Sequence, residues 1–112
     1  MPGAATAMNL GRLLTGTARR VPDHLALVWG ERQWTWRELD ARVDRLAAAL
    51  RARGVGKGDR VMVHARNSNA MFESMWATFK IGAVWVPTNF RLTPMEVAGL
   101  AETSRPIVIL RD

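Results

Sequence analysis

The sequence predicts an α/β fold: a partial parallel sheet made from βαβ units with flanking helices, and a small β-hairpin near the N-terminus. Three observations predict it. The runs RVMVHA at 60–65, AVWVP at 83–87 and IVIL at 107–110 are nearly continuous in apolar residues, as strands covered on both faces are. Each pair of runs is separated by a helical pattern long enough for a crossover connection. Upstream, Gly30 and Glu31 alone separate LALVW from RQWTW, the spacing of a hairpin.

Taken in order, residues 1–8 are small and are expected to form a frayed leader. From Asn9, an available cap, Leu10, Leu13, Leu14, Thr17 and Ala18 recur at helical spacing until Pro22. After the hairpin, Thr35 and Glu38 form a T-x-x-E capping box, with Trp34 placed to staple onto Leu39. Leu39, Val43, Leu46, Ala47 and Leu50 then line one helical face, and Gly54 stands at the left-handed position that ends such a helix. A third helix, AMFESMWATFKIG, takes a cap from 67–69 and presents Phe72, Met75, Trp76 and Phe79 as its apolar face. Leu92, Thr93, Pro94, Glu96 and Val97 repeat the start signature: staple, cap, proline at the first helical position, acid at the third.

Composition narrows the function. With 48% hydrophobic and 23% charged residues in 112, disorder and coiled coil are poor fits, and the length suits one domain. The absence of cysteine excludes disulfides, thiolate catalysis and cysteine metal sites. His24 and His64 alone make no metal cluster, so no metal ligands are expected. His64, near a strand end, reads first as a hydrogen-bonded core or rim residue. The net charge of +6 is dispersed among acidic residues and forms no dense stripe, which argues against nucleic acid. The N-terminus lacks a basic stretch followed by an apolar core, and no apolar run approaches the roughly 18 residues of a membrane span, so the cytoplasm is the expected compartment.

GVGKGD at 54–59 has the glycines of a phosphate loop in the wrong context, because it follows a helix and precedes a strand. It reads as a helix stop and turn. Lys57 and Lys80, the only lysines, sit in that turn and in the last turn of a helix, where a cation suits the dipole. No catalytic residue is assigned. One loop invites a ligand. In VWVPTNFRLTP, residues 88–91 lie beyond the carboxyl end of a parallel strand, where ligand crevices form in open sheets, and Arg91 suits a phosphate or carboxylate. Pairing with Glu96 or with water is the competing role for that arginine.

The ordered set ARRVPDHLALVWGERQWTWRELDARVDRLAAALRARGVGKGDRVMVHARNS and FKIGAVWVPTNFRLTPMEVAGLAETSRP resembles the N-terminal region of the acyl-CoA synthetases, members of the adenylate-forming enzymes. The resemblance spans Asn9 to Asp112. It implies that 9–112 is the N-terminal segment of an adenylate-forming domain, truncated directly after the third parallel strand. It further implies a ligase in which a carboxylic acid, fatty or aromatic, attacks ATP to give an acyl-adenylate and pyrophosphate. CoA then takes the acyl group and AMP leaves. ATP, CoA and Mg²⁺ are the implied cofactors of the parent enzyme. The family's phosphate loop, adenine and magnesium contacts, ribose aspartate and C-terminal lysine have no counterpart in these 112 residues, so the segment alone is expected to be inactive and to bind none of the three. By the same resemblance, Arg91 and, less directly, Asn89 are CoA-binding candidates near the nucleotide phosphates. Two alternatives stay open: an adenylation enzyme that loads a carrier protein, and a stand-alone binding or oligomerisation module with no catalysis. A truncated sheet with exposed apolar area also leaves self-association open.

Overall fold

The structure is a computed structural model that describes residues 9–66, 68–88 and 91–111; the expected leader at 1–8 lies outside them. Helix α1 (Gly11–Arg20) leads to the antiparallel hairpin β1 (Leu25–Trp29) and β2 (Arg32–Thr35). Helix α2 (Trp36–Ala52), strand β3 (Arg60–His64), helix α3 (Asn69–Lys80), strand β4 (Val84–Thr88), helix α4 (Pro94–Ser104) and strand β5 (Val108–Arg111) follow.

The local signals act as the sequence implies. Asn9 caps α1 from outside, its Oδ1 accepting the Gly11 N–H at 2.7 Å while its Nδ2 donates to the Lys80 carbonyl at 3.1 Å. Gly30 adopts φ +61° at the hairpin turn, where a side chain would be strained. The Thr35 hydroxyl accepts the Glu38 N–H and the Glu38 carboxylate accepts the Thr35 N–H, closing the capping box. At the other end of α2, the Gly54 N–H donates to the Arg51 carbonyl and the Val55 N–H to the Leu50 carbonyl, a Schellman stop with Gly54 at φ +89°. Val55 and Leu50 are both buried there. Of the expected cap range 67–69, Ser68 caps α3 by accepting the Met71 N–H and Asn69 is the first helical residue, while Asn67 lies outside the described residues. Thr93 and Glu96 form a second capping box with Pro94 at the first helical position.

Strands β3, β4 and β5 form one parallel sheet in the order β4-β3-β5. The chain moves outward from β3 to β4 and then returns across β3 to β5. Right-handed crossovers in opposite directions put α3 and α4 on opposite faces. On the α3 face, Val61, Val63, Leu39, Val43, Ala47, Leu50, Ala77 and Leu14 form the core, with Trp85, Val108 and Leu110 half-buried against it. Removing this apolar surface from water is the main stabilising term. On the α4 face Met62 is fully buried, yet α4 itself buries no residue.

Two expectations need correction. Leu10 and Leu13 were placed on the apolar stripe of α1, yet both are exposed, Leu13 at 62%, and Gly11, Leu14 and Ala18 are the buried set. The cause is a close approach: α1 crosses α3 at Gly11, and that contact fixes which face turns inward. In α3, the stripe of Phe72, Met75, Trp76 and Phe79 is only half-buried, and the buried face is Asn69, Glu73, Ser74, Ala77 and Thr78. Polar partners explain this inversion. Arg42 of α2 pairs with Glu73, Asn69 donates to the same carboxylate, and Ser74 and Thr78 donate to carbonyls one turn back. Each of these four polar side chains is thereby satisfied, whereas the buried Trp76 Nε1 on the same helix has no hydrogen-bond partner among the described residues.

Candidate functional site

The parallel register brings Thr88, His64 and Arg111 into one row across the carboxyl end of the sheet. Side chains in register on a parallel sheet share a face. In this row His64 Nδ1 lies 2.7 Å from Thr88 Oγ1, and that hydroxyl donates to the Val63 carbonyl at 3.2 Å. A hydroxyl has one hydrogen. With it committed to Val63, Thr88 accepts the imidazole Nδ1–H, and Nε2 is left as the other ring nitrogen. His64 is thus the hydrogen-bonded rim residue that its place in the sequence implies.

The row opens on a cleft of about 460 Å³ between α4 and β5. Its walls are Pro94, Val97, Ala98, Ala101 and Ile109, with His64 and Arg111 as the polar groups. This is the point where strand order reverses, β4 lying on one side of β3 and β5 on the other. Open α/β sheets bind ligands in that crevice because adjacent connections leave it in opposite directions.

Arg91 is an exposed residue of the turn that links the carboxyl end of β4 to the cap of α4. It stands on the same end of the sheet as the row but does not line the cleft. Asn89 lies outside the described residues. Sequence reasoning missed Thr88 and Arg111. The signal for both was pairing register, which joins residues 24 positions apart at His64–Thr88 and is set by the length of two crossovers.

A second cleft, about 400 Å³, lies at the opposite end, with Arg12, Arg51 and Lys57 on its rim. Lys57 belongs to GVGKGD, which is a turn between α2 and β3 as expected, with Gly58 at φ +82° and its N–H on the Gly82 carbonyl. Lys80 is a structural clamp. Its ammonium pairs with Asp40, and with Asp44 at 2.6 Å, both on α2.

Among the described residues no group of three His, Cys, Asp or Glu side chains could hold a metal ion. The described residues therefore offer no magnesium site. No described helix is long and apolar enough to cross a membrane.

A sequence profile of the AMP-binding enzyme family matches residues 14–112. The medium/long-chain fatty acid–CoA/3-oxocholest-4-en-26-oate–CoA ligase of Mycobacterium marinum is 33% identical over 108 residues, covering 96% of this chain and 20% of that protein. The 3-hydroxybenzoate–CoA/4-hydroxybenzoate–CoA ligase of Thauera aromatica is 41% identical over 87 residues, covering 78% of this chain and 17% of that protein. Among solved structures, a Mycobacterium tuberculosis fatty acyl CoA synthetase superposes with a TM-score of 0.88 at 32% identity, covering 92% of this chain and 21% of that chain. The chain therefore spans about a fifth of the length of the relatives it matches.

Proposed function

The chain belongs to the AMP-binding enzyme family, and from that premise we propose that it is the N-terminal segment of an AMP-forming acid–CoA ligase. The reaction joins a fatty or aromatic carboxylic acid to CoA through an acyl-adenylate, with ATP converted to AMP and pyrophosphate. The observation that carries the reading is the match over nearly the whole chain to relatives whose names are acid–CoA ligases, for one fatty and for one aromatic acids. The same names favour CoA over a carrier protein as acceptor, and the reading sets the reaction in the cytoplasm.

Within that reaction the chain's own residues scaffold and position. The parallel sheet fixes the carboxyl end of β4, and the turn beyond it presents Arg91 at the surface. Arg91 offers a planar, permanently charged fork to a CoA phosphate, with Asn89, two positions earlier in the sequence, as a secondary contact. ATP and magnesium are held by residues outside this chain, and the segment by itself carries no bond-making group.

The test is Arg91→Ala in the ligase that contains this segment. The expected result is a rise in KM for CoA of about tenfold, the loss of one charge-assisted pair, with acid-dependent ATP–pyrophosphate exchange unchanged. If neither half-reaction changes, Arg91 serves the loop alone and the CoA assignment fails.

A further inference from the structure

The cleft between α4 and β5 has a chemistry that the ligase reading does not use. Its walls are aliphatic, and its polar groups are one imidazole and one guanidinium side by side, since His64 and Arg111 are register partners. Among the described residues no carboxylate lines it. Among the described residues Arg111 has no ion-pair partner and His64 engages Thr88 through Nδ1 alone. A cation beside apolar walls of this size suits a small ligand with one anionic end.

We propose that this cleft binds a small organic acid, its carboxylate on Arg111 and its apolar or aromatic body against Val97, Ala98, Ala101 and Ile109. A guanidinium takes a carboxylate through two parallel hydrogen bonds, and His64 at its side sets the width of the polar end. The aliphatic walls gain from an apolar body by removing it from water, and they offer nothing to replace the hydration of an inorganic anion. That difference selects an organic acid over phosphate. The inference goes beyond the ligase reading and needs no residue outside the chain, so either can fail while the other stands.

The chain's two imidazoles give the test an internal control, because His24 lies in the segment between α1 and β1, away from the cleft lining. Benzoate, octanoate and inorganic phosphate are titrated at constant ionic strength while both imidazoles are followed by NMR. The expected result is a saturable shift of His64 with benzoate or octanoate, no movement of His24, and no saturable shift with phosphate. Arg111→Gln weakens acid binding by about tenfold, the loss of one charge-assisted pair. Ala98→Trp, which fills the cleft from an exposed helix position, removes the shift while far-UV circular dichroism stays unchanged; if that variant does not fold, Ala101→Leu serves as a smaller filler, read the same way. The proposal is overturned if His64 shows no saturable shift with either acid, if phosphate binds as tightly as benzoate, or if Arg111→Gln binds the acids with unchanged affinity.

Discussion

Gly11 and Gly16 lie in the same helix and have opposite surroundings. A Cβ on Gly11 would sit 2.6 Å from Lys80 Cα and 2.8 Å from its backbone nitrogen, whereas one on Gly16 would meet nothing within 4 Å. Backbone cannot swing aside as a flexible side chain can. Gly11→Ala is therefore expected to lower stability by about 1–3 kcal/mol, as overpacking does, and Gly16→Ala to raise it by up to about 1 kcal/mol. Urea denaturation of the two variants checks the pair of signs. Glu73 poses the matching polar question. Its side chain is 7% exposed and is held by Arg42 and Asn69. The bond to Glu73 raises the Arg42 pKa above its ordinary value, so the guanidinium stays charged. Arg42→Met leaves a buried carboxylate with one amide partner, a loss of about 3 kcal/mol, the low end for a broken buried pair because Arg42 itself is partly wet. Arg42→Met with Glu73→Leu should recover most of it, and a double-mutant cycle measures this. Neither site was legible beforehand. Gly11 and Lys80, or Arg42 and Glu73, are joined only by tertiary approach, and no local spacing signals it.

At the scale of elements, the sequence was readable wherever a helix is punctuated by its own neighbours. Thr35/Glu38, Gly54 and Thr93/Glu96 announce their roles because each cap closes within a few residues. What could not be read was which face of α1 or α3 turns inward, since that choice belongs to the partners. In α3 the aromatic ladder Phe72–Trp76–Phe79, with edge-to-face contacts at 6.2 and 5.9 Å, took the stripe that hydrophobicity alone would bury. Replacing the cap hydroxyl in Thr35→Ala is expected to cost about 1 kcal/mol by thermal unfolding. The Glu38 carboxylate accepts the Thr35 N–H and hydroxyl bonding, which lowers its pKa. Since the folded value lies below the unfolded one, this contribution is complete above the ordinary glutamate range, about 4.3, and is lost as pH falls through the lower folded value. Glu38→Gln should flatten that acid limb of the stability profile; an unchanged limb would remove Glu38 as its source.

Over the whole molecule, composition and strand order in sequence carried the α/β class and the parallel sheet, while the spatial order β4-β3-β5 did not follow from either. Only that order sets Arg111 beside His64 and turns α4 to the far face, which is why the cleft was invisible from the sequence. The loop with Arg91 was legible because its position depends on one fact, the carboxyl end of an apolar strand. The central proposal is a division of labour, in which these 112 residues serve as scaffold with an acceptor-side contact and the bond-making groups lie elsewhere. ATP–pyrophosphate exchange with a fatty or aromatic acid, run in parallel on this chain alone and on the longer ligase proposed to contain it, tests that claim most directly. The account predicts exchange from the longer protein and none from the chain; exchange by the isolated chain would contradict it.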